Sequence, residues 1–191
     1  MTTSNYLTLS RIAFIPVFGL FLYLPQNWSY PVSAALFSIA SITDFLDGYL
    51  ARKWGEETKF GAFLDPVADK LMVVIAMTLI IAKYPTVLIT ITGLIIIGRE
   101  IIITALREWM AELGKRSIVA VSSIGKWKMG MQITALIMLC LFKPTFEIGG
   151  FSYGLWGHWL GQFFLIIAAA LTLWSMIVYL KAALAETDVL S

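Results

Sequence analysis

Residues 43–70 read TDFLDGYLARKWGEETKFGAFLDPVADK and place four aspartates in a strongly apolar chain. Asp44 and Asp47 are three residues apart, and Asp65 and Asp69 are four apart. If both segments are helical, each pair lies on one helix face. An uncompensated charged side chain inside a membrane-spanning helix costs about 2.5 to 3.5 kcal/mol. The four carboxylates therefore predict a compensating partner, and a divalent cation is the obvious one.

The composition is that of an integral membrane protein. The chain has 191 residues, of which 59% are hydrophobic and 14% charged, and its mean hydropathy is +0.84. Because about 20 apolar residues cross a bilayer as a helix, we expect an all-α protein with six transmembrane helices and a short N-terminal interfacial helix before them, in one domain over residues 1–191. The expected spans are 12–24, 32–52, 60–83, 86–106, 129–142 (extended back toward Ser123) and 159–180.

The basic residues predict the orientation. Six spans put both termini on one side, and the loops of that side carry most of the lysines and arginines: Arg11, Arg52, Lys53, Lys59, Arg107, Lys115, Arg116, Lys126, Lys128 and Lys181. The opposite loops carry only Lys83 and Lys143. By the positive-inside rule, the termini and the aspartates face the cytoplasm. A cleaved signal peptide fits poorly, since Arg11 is a weak basic region, and the net charge of +2 does not indicate a nucleic-acid partner.

Eight residues between Asp44 and Asp69 form the pattern D-x2-D-G-x2-A-R-x8-G-x3-D-x3-D. They are Asp44, Asp47, Gly48, Ala51, Arg52, Gly61, Asp65 and Asp69. The pattern resembles the CDP-alcohol phosphotransferase family without a departure, and eight identities at fixed spacing make a specific match. The resemblance implies transfer of a phosphatidyl or related group from a cytidine diphosphate carrier to an alcohol, with a divalent metal and release of CMP.

The same resemblance implies roles for individual residues. Asp44, Asp47, Asp65 and Asp69 would hold two Mg²⁺ or Mn²⁺ ions, and Asp69 would also act as the general base. Six further residues would line the site of the cytidine diphosphate carrier: Thr8, Gly48, Ala51, Arg52, Thr58 and Gly61. The family is usually dimeric, which implies a homodimer.

A second stretch narrows the resemblance. Residues 99–113, REIIITALREWMAEL, followed by GKRS and GKWK, resemble bacterial phosphatidylglycerophosphate synthases, whose substrates are CDP-diacylglycerol and sn-glycerol 3-phosphate. The residues support a phosphate-bearing acceptor independently, because Arg99, Arg107 and Lys126 can supply the cationic pocket that a phosphate monoester requires. The other basic residues here, Lys115, Arg116 and Lys128, we assign to contacts with anionic lipid.

Three alternatives remain open from the sequence. The same chemistry could serve another acceptor such as inositol phosphate, serine or phosphatidylglycerol, of which serine fits worst because it lacks a phosphate. A divalent-cation transporter would place its acids near the membrane midplane between internal repeats, and no repeat is found. A non-catalytic membrane scaffold would leave the four aspartates and Arg99 without a purpose.

Three other features have structural interpretations. The single cysteine, Cys140, lies in an apolar run and excludes an internal disulfide, so we interpret it as a packing residue. The single histidine, His158, lies in a loop away from the aspartates, and we interpret it as a surface residue. Three closely spaced glycines, Gly154, Gly157 and Gly161, favour a contact between protomers.

Overall fold

The computed structural model describes residues 3–54, 59–114, 123–145, 147 and 152–187. For residues 3–12, 44–54, 59–66, 69, 123–126 and 186–187 it describes the backbone alone. The described residues form six α-helices and no strand, so the all-helical class is confirmed. The helices are α1 (Thr3–Tyr23), α2 (Ser29–Trp54), α3 (Lys59–Lys83), α4 (Val87–Glu112), α5 (Ser123–Leu141) and α6 (Tyr153–Thr187).

The N-terminal part of the chain differs from the prediction. Thr3–Tyr23 is one continuous helix, so a separate interfacial helix ahead of the first span is wrong. Pro16 lies inside this helix, although proline cannot donate a backbone hydrogen bond. Polar residues near the start do not break the helix either, because its backbone groups are satisfied within the segment itself.

The last helix is longer than predicted at both ends. It begins at Tyr153 and continues to Thr187, whereas the predicted span covered 159–180. Helix α6 begins early because it packs closely against α5. A Cβ added to Gly157 would lie 2.2 Å from Cγ of Phe142, and one added to Gly161 would lie 3.1 Å from Cγ of Leu139. Gly157 and Gly161 therefore bring α6 close to α5 of the same chain, and their interpretation as a contact between protomers is wrong. For Gly154 that interpretation stays a prediction.

Helices α3 and α4 form an antiparallel hairpin. Thr86 caps α4 by accepting a hydrogen bond from the backbone N–H of Ile89 at 3.3 Å, as threonine commonly does at this position. Gly93 permits a close approach of the two helices, because a Cβ there would lie 2.6 Å from Cδ1 of Ile81. At its other end α4 stops before Gly114, which has a φ of +71°, a conformation that glycine adopts without strain.

One large apolar core joins the helices. Helix α1 packs against α2 and α3, α5 packs against α2, α3 and α6, and α4 packs against α3 and α6. Residues from all six described helices meet in the core and are fully or almost fully buried: Leu22, Phe37, Met77, Ile96, Leu136 and Leu165. A smaller cluster joins the second half of α4 to α6: Ile103, Leu106, Met110, Tyr179 and Ala183. Cys140 is fully buried in the large core, which confirms its packing role.

Two of the described helices are long and apolar enough to cross a membrane, Val87–Glu112 and Tyr153–Ala185. Shorter apolar stretches occupy Ala13–Tyr23, Ser29–Thr43 and Trp127–Leu141. The outer faces of α4 and α6 are apolar as well: Ile101 is 64% exposed and Trp174 is 63% exposed. Such faces are costly in water and favourable in lipid.

Candidate active site

Both aspartate pairs lie on helices, close to the ends that the chain joins. Asp44 and Asp47 lie on α2, and Asp65 and Asp69 lie on α3. Asp47 is seven residues before the end of α2, and Asp65 is six residues after the start of α3. At a rise of about 1.5 Å per residue, these are distances of about 10 and 9 Å along the two helices. The two pairs thus lie at similar distances from the helix ends that the chain joins.

The described side chains next to these pairs show that the two helices converge. Ala40 lies one helical turn before Asp44, and Met72 lies three residues after Asp69. Both line one small cavity together with Phe14 of α1. Helix α1 therefore holds α2 and α3 together beside the segments that carry the aspartates.

The donor set suits a hard divalent cation. Carboxylate oxygens are the ligands that Mg²⁺ and Mn²⁺ prefer. Five of the residues predicted to line the site of the cytidine diphosphate carrier lie on described helices. Gly48, Ala51 and Arg52 lie on α2, Gly61 lies on α3 and Thr8 lies on α1. Thr58, Lys115 and Arg116 lie outside the described residues.

A second charged group lies where α4 meets α5. The carboxylate oxygen Oε1 of Glu100 accepts hydrogen bonds from Arg99 Nη1 at 2.8 Å and from Lys128 Nζ at 2.5 Å. Arg99 is 8% exposed and Lys128 is 5% exposed. One carboxylate thus pairs with two cations that are both buried.

Each of the two arginines predicted to bind the acceptor has one N–H group without a described hydrogen-bond partner. The Nε atoms of Arg99 and Arg107 are both buried and have no hydrogen-bond partner among the described residues. The guanidinium carbon of Arg107 lies 5.9 Å from the ring centroid of Tyr179 on α6, within the range of a cation–π contact. Because a buried N–H without a partner is costly, these donors are suited to an anionic ligand.

The structure corrects the interpretation of Lys128 and places Lys126. Lys128 was assigned to anionic lipid, but it is buried and paired with Glu100, so that assignment is wrong. The sequence does indicate this burial, because Lys128 directly precedes the apolar run of α5. Lys126, the third predicted acceptor residue, lies two residues earlier on α5.

The interpretation of His158 as a surface residue is also wrong. His158 lies in the second turn of α6 and is 5% exposed. Its ring lies 4.6 Å from that of Tyr84, between centroids. It packs at the end of the bundle where α3 meets α4, far along the chain from the aspartates.

Comparison with known proteins identifies the class. Residues 1–180 match the family model described as CDP-alcohol phosphatidyltransferase, and the chain belongs to this family. The curated proteins most similar to it include those of Escherichia coli (strain K12) and Shigella flexneri (serotype 5b, strain 8401), both named CDP-diacylglycerol–glycerol-3-phosphate 3-phosphatidyltransferase. Each is 51% identical to this chain over 180 residues, which is 94% of this chain and 93% of the relative.

These comparisons confirm the family that the aspartate pattern predicted. Membership makes the protein a transferase, as expected from the resemblance. The narrower resemblance seen in residues 99–113 also agrees with the activity for which both relatives are named.

Proposed function

We propose that the protein transfers the phosphatidyl group of CDP-diacylglycerol to sn-glycerol 3-phosphate, giving phosphatidylglycerophosphate and CMP. The observation that carries the proposal is that the two aspartate pairs lie at similar distances from the adjoining ends of α2 and α3. The choice of acceptor is supported by the buried Nε donors of Arg99 and Arg107, which have no partner among the described residues, and by the names of relatives that are 51% identical.

The aspartates hold the metal and move a proton. Asp44, Asp47, Asp65 and Asp69 bind two Mg²⁺ or Mn²⁺ ions, in keeping with a family that generally depends on divalent metal. When bound, the ions supply positive charge that stabilises the pyrophosphate and the departing CMP. Asp69 accepts the proton of the attacking hydroxyl as general base.

The residues around the aspartates bind the lipid donor. Gly48, Ala51 and Gly61 lack bulky side chains, so the nucleotide can lie against α2 and α3. Arg52 supplies a fixed positive charge for the diphosphate. Thr8 and Thr58 complete the site of CDP-diacylglycerol with their hydroxyl groups.

The acceptor is bound by Arg99, Arg107 and Lys126, whose positive charges match the phosphate monoester of glycerol 3-phosphate. Lys128 lies beside this site, where it is paired with Glu100. Lys128 lies five residues, or about 8 Å, inside the start of α5, a depth close to that of the aspartates. The hydroxyl of glycerol 3-phosphate then attacks the phosphorus that carries diacylglycerol, in line with CMP as the leaving group.

The molecule works as a single domain of the bacterial plasma membrane. All six helices cross the bilayer, both termini and the active site face the cytoplasm, and two protomers form a homodimer. The proposal for the orientation rests on the basic loops, and that for the spans rests on helix length, since every helix but α5 has more than 20 residues.

The acceptor assignment is tested by measuring CMP release from CDP-diacylglycerol in mixed micelles with Mg²⁺ or Mn²⁺. Glycerol 3-phosphate, serine, inositol phosphate and phosphatidylglycerol are compared as acceptors. We expect release with glycerol 3-phosphate alone and its loss on addition of a chelator. Release with a different acceptor would keep the aspartate chemistry and overturn the acceptor, whereas no release with any acceptor would overturn the proposed transfer.

The acceptor pocket is tested by Arg99→Lys, which keeps the charge but removes the buried Nε donor. We expect the KM for glycerol 3-phosphate to rise about tenfold or more, because a lost charge-assisted hydrogen bond is worth about 1.5 to 3 kcal/mol. The KM for CDP-diacylglycerol should stay unchanged. Lys181→Arg, a change at an exposed position of α6, is the control. Equal changes in both KM values would remove Arg99 from the acceptor site.

A further inference from the structure

A cavity lies at the end of the bundle opposite the aspartates. Its volume is about 370 Å³, and its lining includes Asn27 and Tyr30 beside the α1–α2 turn, Leu141 and Lys143 at the end of α5, and Tyr153 at the start of α6. None of these residues has a role in the proposed transfer.

Two lysines lie near Tyr30, which lines this cavity, and one of the two, Lys143, lines it as well. The Nζ atoms of Lys83 and Lys143 lie 4.0 and 5.7 Å from the ring centroid of Tyr30. Lys83 also donates a hydrogen bond to the carbonyl oxygen of Leu22, and Lys143 Nζ lies 3.5 Å from Oδ1 of Asn27. Neither lysine forms an ion pair with a carboxylate of the described residues. The positive charge of Lys143 therefore lies in the lining of the cavity and that of Lys83 lies beside its Tyr30, and no described carboxylate forms an ion pair with either.

Basic residues are rare at this end of the chain's helices, so the proximity of two of them is unusual. The chain has 14 lysines and arginines, and Lys83 and Lys143 are the only two in the loops of this end. Both are brought to one tyrosine ring although 60 residues separate them. Like charges placed together raise the free energy of the fold unless an anion compensates them. Burial raises the pKa of the neighbouring Tyr84, so this phenol stays neutral and does not supply the anion.

The surroundings of the cavity belong to a membrane interface. Trp28 is 55% exposed and packs edge-on against Phe21 with 5.9 Å between ring centroids, and such amphipathic rings sit at the level of lipid headgroups. Tyr153 is 50% exposed and Leu141 37% exposed beside the lysines. A ligand with a phosphate and apolar chains would match both parts of this surface, whereas free phosphate would leave the apolar part uncovered.

We propose that this cavity binds the headgroup phosphate of an anionic phospholipid from the leaflet opposite the active site, with its acyl chains along Leu141 and Tyr153. Lys83 and Lys143 donate to the phosphate oxygens. An anionic lipid fits better than a zwitterionic one, because the cationic end of a choline or ethanolamine headgroup would be repelled by the second lysine. The inference rests on the placement of the helices in a membrane and not on the transfer reaction.

The test measures the affinity of the detergent-solubilised protein for phosphatidylglycerol by native mass spectrometry. Because one basic residue near a membrane surface contributes about 1 kcal/mol to anionic lipid binding, we expect affinity to fall about fivefold in Lys143→Gln and about thirtyfold in the double variant Lys83→Gln/Lys143→Gln. Lys181→Gln removes one exposed charge at the other end and is the matched control. Lys143→Arg should keep the affinity.

The comparison ligands distinguish the sources of phosphate. Phosphatidylcholine and inorganic phosphate should bind the wild-type protein at least tenfold more weakly than phosphatidylglycerol. If Lys83→Gln does not fold, since Lys83 also bonds to α1, Lys143→Gln alone gives the result. The proposal is overturned if Lys143→Gln binds as tightly as wild type, if Lys181→Gln loses as much, or if either comparison ligand binds equally well. CMP release by Lys143→Gln should be unchanged. A failure of the lipid-binding proposal can therefore be distinguished from a failure of the proposed transfer, which would show as a loss of CMP release by the wild-type protein.

Discussion

Glu100 is the residue on which the buried charges between α4 and α5 depend. Its carboxylate is the common acceptor of Arg99 and Lys128. Removing one partner of a buried ion pair leaves an uncompensated charge, which costs about 3 to 5 kcal/mol. The pairing links α4 to α5 beside the proposed acceptor pocket.

We therefore expect Glu100→Gln to lower the free energy of unfolding by about 3 kcal/mol, measured by denaturant titration in mixed micelles. Glu108→Gln changes an exposed acid on the same helix and should alter the free energy of unfolding by less than about 0.5 kcal/mol. Equal stabilities of the two variants would show that the ion pairs with Arg99 and Lys128 contribute nothing to the fold.

Asp69 is assigned two roles, and one substitution separates them. Asp69→Asn keeps a ligand oxygen but loses the basic carboxylate, so we expect measurable Mn²⁺ binding and a fall in kcat of about 10²- to 10⁴-fold. Mn²⁺ binding is followed by electron paramagnetic resonance and kcat by CMP release, with Glu112→Gln as a control at an exposed acid. Unchanged turnover would remove Asp69 from the role of general base.

The aspartate site could be predicted from the sequence because one short stretch carries all of its aspartates. The four aspartates lie within 26 residues, and their spacing alone indicated a family. The partnership of Glu100 with Lys128 was not predictable in this way, because 28 residues separate them and only the packing of α4 on its neighbours brings them together. For the same reason, Lys128 was mistaken for a residue of the lipid surface.

At the scale of elements, prediction succeeded where polar residues mark a helix end. Helix α3 begins one residue before the predicted position and ends at the predicted Lys83. It failed at α6, because Gly154 and Gly157 lower helix propensity and were interpreted as loop. Packing against α5 overrides that propensity.

The close contact between α5 and α6 gives a stability prediction. A Cβ at position 157 would overlap the ring of Phe142, with its Cγ only 2.2 Å away, so Gly157→Ala should destabilise the fold by about 1 to 3 kcal/mol. Gly130→Ala is the control, since nothing lies within 4 Å of a Cβ there and alanine favours a helix by about 1 kcal/mol. The free energy of unfolding in mixed micelles distinguishes them. Similar stabilities would contradict the close α5–α6 packing.

At the scale of the whole molecule, the proposed orientation predicts which loops reach the outside. In a Cys140→Ala background, we expect Pro85→Cys in the α3–α4 turn to react with a membrane-impermeant maleimide added to intact cells. Glu112→Cys, at the opposite end of α4, should react only after the membrane is opened. Labelling of Glu112→Cys in intact cells would reverse the orientation, and labelling of both would contradict the spanning of α4.

The proposed transfer depends on the aspartates, on the acceptor pocket and on the membrane orientation together. The most direct measurement is the transfer of label from radioactive glycerol 3-phosphate into extractable lipid, with purified protein, CDP-diacylglycerol and Mg²⁺ or Mn²⁺. We predict labelled lipid equal in amount to the CMP released, with none when a chelator is added. CMP release without labelled lipid, or no product of either kind, would contradict the proposal.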